Sequence, residues 1–146
     1  MKRTIGILAV LLLTFTTLTS LLPGRGDCDG EEEYNKGLQK LGDFRLIDDF
    51  RVSLRKGKSV IHPVSLTRGL TYKFYPVNHP ENSSKMIMTI YMKSGGQMKL
   101  ASTHGGSSKH YPYIKFECGK SGKYYLEFKF DNEDKGCGVG MFTVSK

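Results

Sequence analysis

The chain has 146 residues, with 22 lysines and arginines against 14 acidic residues and a formal net charge of +8. That length suits one domain, and the charge favours acidic surfaces. It does not mark a nucleic-acid reader, because the basic residues are spread along the chain and no recognition motif gathers them.

Lys2 and Arg3 lead an uncharged, largely apolar run from Ile5 to Leu22, which Pro23-Gly24-Arg25-Gly26 then breaks. Charge, apolar run and small residues in that order are the layout of a secretory signal. The run's eighteen residues just reach the span of a bilayer. Thr14, Thr16, Thr17, Thr19 and Ser20 weaken its second half, which favours a cleaved signal over an anchor. The reading is therefore a signal peptide over 1–26, cut after Gly26, with a cut after Thr19 as the alternative. A membrane enters only through this segment, if it is left uncleaved. Arg25-Gly26-Asp27 spells an integrin-binding tripeptide that the preferred cut destroys, and Arg25 and Asp27 spoil a lipoprotein site at Cys28. The mature chain is then exported, periplasmic or extracellular, with a charge of about +5. Its natural partners are an acidic polysaccharide or an acidic protein of the envelope.

Residues 27–42 read as a short helical segment. Asp29 can cap it, Glu31, Glu32 and Glu33 suit its positive end, and Lys36 and Lys40 suit the other. Tyr34, Leu38 and Leu41 form one narrow apolar stripe, Gly37 weakens the helix and Gly42 stops it. From 43 to 146 the period becomes two. Phe50-Val52-Leu54, Leu70-Tyr72-Phe74, Met86-Met88-Ile90-Met92, Ile114-Phe116-Cys118 and Tyr124-Leu126-Phe128-Phe130 each alternate with polar or outward residues. Lys56-Gly57-Lys58, Ser94-Gly95-Gly96, Gly105-Gly106-Ser107-Ser108, Gly119 to Gly122 and Asp131 to Gly136 supply turns. Short strands at this spacing without helical crossovers predict a mainly β protein, an antiparallel sandwich.

The succession Gly69-Leu70-Thr71-Tyr72-Lys73-Phe74, Met88-Thr89-Ile90-Tyr91, Leu100-Ala101-Ser102, Ile114-Lys115-Phe116 and Gly122-Lys123-Tyr124-Tyr125-Leu126 resembles the bacterial pre-peptidase C-terminal domain over about residues 44 to 144. The whole chain also resembles small stand-alone exported proteins of Bacteroidota. No peptidase precedes the sandwich here. The resemblance implies a jelly-roll-like fold and a non-catalytic accessory role, and it brings no catalytic residues with it.

Three cysteines in an exported chain allow one intramolecular bond and one odd thiol. If residues 113–118, 123–130 and 137–144 run as a meander, Cys118 and Cys137 lie roughly 20 Å apart, beyond the reach of a disulfide. Cys28–Cys137 is then the favoured pair, the alternative being three reduced or singly buried thiols. No cysteine or histidine spacing signals a metal, and no cofactor motif appears.

Catalysis would have to use the histidines. His62 and His79 each precede a proline, while His104 and His110 flank a Gly/Ser loop with Ser102, Ser107 and Ser108 nearby. No nucleophile-elbow motif accompanies them, so ordinary loop residues are the stronger reading. Asp131-Asn132-Glu133-Asp134 lacks the ligand order of an EF-hand and reads as an acidic turn. Asn82-Ser83-Ser84 fits the glycosylation pattern, relevant only in a pathway that glycosylates.

Tyr75, Tyr91 and Tyr125 fall on the outward phase of their strands, and with Tyr111 and Tyr113 they suggest an aromatic platform for sugar rings or a protein. The competing reading is that these rings are the surface on which the Tyr34-Leu38-Leu41 stripe rests. Two function classes follow: a non-catalytic binding protein of the envelope, or a small secreted hydrolase built on the His104–His110 loop. The first is preferred.

Overall fold

The computed structural model describes residues 29–93, 96–131 and 135–145. The expected signal peptide, its cleavage site and Cys28 lie outside the described residues. Among those described, one helix, α1 (Glu31–Leu38), precedes eight strands: β1 (Phe44–Arg55), β2 (Ser59–Leu66), β3 (Thr71–Asn78), β4 (Met86–Lys93), β5 (Gln97–Ser102), β6 (Ile114–Glu117), β7 (Gly122–Phe130) and β8 (Lys135–Ser145). They pair antiparallel in two four-stranded sheets, ordered β1-β8-β3-β6 and β2-β7-β4-β5. Eight antiparallel strands interleaved in this way form a jelly-roll sandwich.

The period-two reading places most of the core correctly; Leu70, expected inward, lies just before β3 and is exposed. Val52, Tyr72, Phe74, Met88, Ile90, Ile114, Leu126 and Phe128 all point between the sheets and are buried. The connections differ from the expected meander. β6 pairs with β3, β7 with β2 and β4, and β8 with β1 and β3. β6 and β7, and likewise β7 and β8, therefore lie in different sheets and do not form hairpins. Alternation reports which side chains face inward, but not which strand lies alongside.

A second apolar layer covers the outer face of the β1-β8-β3-β6 sheet. Tyr75, Val77, Val139 and Met141 point away from the main core, yet all are buried, with Tyr34, Leu38 and Leu46 packed on them. The helix is shorter than its sequence suggests: it is capped by Gly30 and ends at Leu38, before Leu41 and Gly42, with the Asp29 carboxylate accepting from the Glu31 amide (3.0 Å) and Lys36 pairing with Glu32. Gly37 has a different role from the expected weak point. A Cβ there would come within 2.7 Å of the Met141 sulfur, so its absence lets the helix lie down on the sheet.

The sheet edges are guarded. β1 carries a register shift at Leu46/Asp48, β2 holds Pro63, β5 shifts register opposite Ile90/Tyr91, and β6 has only four residues. Each of these devices discourages strand addition, which leaves faces and loops for recognition.

Candidate binding surfaces

The structure separates the five tyrosines instead of gathering them on one platform. Tyr75 is 3 % exposed, and its hydroxyl donates to the Gly37 carbonyl at 2.8 Å. Burial raises its phenol above the ordinary range. It is the seat of α1, as the competing reading held, and no ligand reaches it. Tyr113 is exposed on the same side of the molecule. The Lys73 amine stands 5.1 Å from its ring centroid, 5.1 Å from that of Tyr75 and 5.4 Å from that of Phe44. Three rings around one ammonium tie the loop before β6 to β3 and β1 through cation–π attraction. Tyr111 lies in the β5–β6 loop, its amide donating to the Thr103 carbonyl at 2.7 Å and its ring under the Lys109 amine.

Tyr91 and Tyr125 do come together. They are direct partners across β4 and β7 on the outer face of the β2-β7-β4-β5 sheet, the face opposite α1. The Tyr91 hydroxyl donates to Glu127 at 2.8 Å, and burial followed by that carboxylate raises its phenol. The Lys93 amine sits 4.6 Å from the Tyr125 ring centroid. Lys99 pairs with Tyr91 in the ladder, and Lys123 and Lys129 share the outward phase of Tyr125. Lys93, Lys99 and Lys123 thus neighbour the pair, with Glu127 as the carboxylate beside it, while Lys129 lies further along β7 against Asp131. The interleaved Tyr91-Met92-Lys93 and Lys123-Tyr124-Tyr125 spacing carried this signal in the sequence. Only strand pairing shows that the two tyrosines are neighbours.

The second candidate is a polar cleft of about 320 Å³. The loop after β3 supplies Ser83, Ser84 and Lys85, the β5–β6 loop supplies His104, Ser108 and His110, and Asp131 closes the end of β7. His104 and His110 form an antiparallel bridge, which sets their ring centroids 4.9 Å apart. His104 Nε2 lies 3.8 Å from Asp131, which also stands 3.7 Å from the Lys129 amine. Burial pushes His110 below the ordinary imidazole range; His104 and Lys85 add to this and Asp131 opposes it. Ser107 and Ser108 both have positive φ, 62° and 61°, a conformation that non-glycine residues rarely adopt twice in succession. Ser102 is not poised as a nucleophile. Its hydroxyl bonds Thr89 and the Met88 carbonyl, and it accepts from the His104 amide, not from a ring.

The remaining candidates are structural. His62 packs in the interior against Phe50 and Phe128, at ring distances of 4.7 and 5.8 Å. The His79 ring accepts from the Glu81 amide. Asn82 is no free glycosylation acceptor: its amide donates to the Cys137 carbonyl (2.6 Å) and its oxygen accepts from the Cys137 amide (3.2 Å). Cys118 is a free, buried thiol, close to the Tyr124 hydroxyl. Cys137 is disulfide-bonded, and its expected partner Cys28 lies outside the described residues. Among the described residues no three metal-binding side chains converge, and no helix is long and apolar enough to cross a membrane.

No protein-family model matches this sequence, and no curated protein matches it. Among solved structures the chain is similar to Aeromonas hydrophila PliG, a periplasmic inhibitor of g-type lysozyme. The likeness has a TM-score of 0.51 and 8 % sequence identity, covering 67 % of this chain and 85 % of that one. At that identity it is a likeness of fold.

Proposed function

We propose that this chain is an exported, non-catalytic binding protein of the cell envelope whose ligand surface is the Tyr91–Tyr125 end of the outer face of the β2-β7-β4-β5 sheet. The observation that carries this reading is the Tyr91–Tyr125 cross-strand pair beside Lys93, Lys99 and Lys123. Two phenol rings side by side offer flat apolar area with polar tips, and the lysines add attraction for negative charge. An acidic polysaccharide meets both requirements. The other sheet's outer face is occupied by α1 and the edges resist strand addition; on this sheet Ile87 and Thr89 are buried on the outward phase of β4, which leaves the end that carries Tyr91 and Tyr125.

The test is binding of the mature protein to polygalacturonate and to an uncharged glucan, at low and moderate salt. The reading expects binding to the acidic polymer that weakens with salt, and a loss of about tenfold or more in a Tyr91→Ala, Tyr125→Ala double variant that melts normally. Unchanged affinity in that variant sinks it.

A protein ligand is the second reading, favoured by the likeness to a periplasmic lysozyme inhibitor. It expects the protein to slow a g-type lysozyme in a turbidity assay at near-stoichiometric ratios. The hydrolase reading draws less support: the serine nearest in sequence, Ser102, is bonded to the His104 backbone amide rather than to its ring, whose Nε2 stands 3.8 Å from Asp131.

A further inference from the structure

The cleft beside the end of β7 has a composition that binding by the tyrosine face does not use. Every side chain lining it is polar, and most are hydrogen-bond donors. Lys85 stands on one wall without a carboxylate partner among the described residues. Across from it His104 and His110 face each other, and the left-handed turn at Ser107–Ser108 holds a hydroxyl at the rim. Among the described residues Asp131 is the one carboxylate in the lining, and it is already shared between His104 and Lys129. Lys109, the remaining cation of the loop, is drawn aside over the Tyr111 ring.

We propose that this cleft is an oxyanion site for a phosphate or sulfate group, and that His104 and His110 take up protons as the anion enters. A tetrahedral oxyanion presents acceptors on all sides, and the cleft offers the Lys85 ammonium, the Ser108 hydroxyl and the ring N–H groups of His104 and His110. The volume of about 320 Å³ holds such a group with a small substituent attached. Without an anion, charging both rings sets like charges 4.9 Å apart beside Lys85. An anion between them removes that penalty, so binding and protonation strengthen each other. The turn with two successive positive-φ serines is the kind of strained element that persists where a site must be held ready.

The experiment follows the four histidine ring protons by NMR across pH. It uses chloride buffer and then inorganic sulfate at matched ionic strength, since sulfate keeps its charge throughout. Sulfate is expected to move the midpoints of His104 and His110 to higher pH and to leave His62 and His79 in place. Its affinity should be roughly tenfold greater near pH 5 than near pH 8, one charge-assisted contact's worth. Lys85→Gln should weaken binding severalfold at every pH, and His110→Gln should flatten the pH dependence. The Tyr91→Ala, Tyr125→Ala variant should bind sulfate normally, which separates this site from the polysaccharide face. Phenyl phosphate binding more tightly than inorganic phosphate identifies a monoester ligand; equal binding identifies the free ion. Four histidine titrations that sulfate does not alter in the unmodified protein overturn the proposal, whatever the variants do.

Discussion

Gly140 of β8 and Phe128 of β7 face each other across the sandwich. A Cβ at position 140 would lie 2.8 Å from Phe128 Cζ and nearer still to Cε1. Phe128 is fully buried, so its ring has nowhere to retreat. Gly140→Ala should therefore destabilise the protein by about 1–3 kcal/mol, the usual range for an overpacked core. Urea melts of Gly140→Ala, Phe128→Leu and the double variant check the cause. The double variant should lose less than the sum of the two, because the smaller side chain frees the space the methyl needs. Additive losses would show that the two positions do not press on each other.

That contact also marks how far the sequence could be read. Inward positions of β8 include Gly136 and Gly140, which give no hydrophobic signal because the rings of Phe130 and Phe128 fill their place. The alternation of Val52, Tyr72, Met88 and Leu126 was legible because each carries its own buried side chain. The outward burial of Tyr75 was not, since it depends on α1 folding back over β3. Likewise the phases of Tyr91 and Tyr125 were readable, while their adjacency required the β4–β7 register. Lys85 joins His104 and His110 only through the packing of two loops, and no local spacing announces it.

Tyr75→Phe should loosen the helix without disturbing the core between the sheets. The change removes one buried hydroxyl and leaves the Gly37 carbonyl without that donor. A loss of about 0.5–1.5 kcal/mol is expected. Hydrogen exchange localises it: the amides of Glu31–Leu38 should exchange faster, while those of β4 and β7 stay protected. Uniform acceleration would mean that α1 and the sandwich unfold as one unit.

The cysteines give a chemical test of how the chain's start is fastened. Gly30 backs onto Val139 and the Arg51 side chain, and Cys137 lies two residues before Val139 on the same outward phase of β8. The residue two before Gly30 is Cys28. A peptide map without reductant should link Cys28 to Cys137 and leave Cys118 as the single free thiol. Cys118 is 3 % exposed, so thiol reagents should reach it only on unfolding. Loss of the bond through Cys137→Ser should cost about 2–4 kcal/mol. A map that shows Cys118 in a disulfide refutes this arrangement.

Acid should weaken the fold at His110, and the sign follows from its environment. Burial, His104 and Lys85 hold the folded imidazole below its unfolded value of 6.5. The unfolded chain therefore takes up this proton first, and stability declines as the pH falls through about 6.5. The decline levels off once the pH lies below the folded midpoint, where both states are charged. In His110→Gln this component disappears, so the wild-type minus variant difference in Tm should fall as the pH drops through about 6.5 and become flat once the pH lies below the folded midpoint. Sulfate should reduce that fall in the wild type, because an anion held between the rings favours the protonated folded state. A Tm difference that stays constant across this range would mean that the His104–His110 bridge tolerates the charge, and that the two rings are not electrostatically opposed.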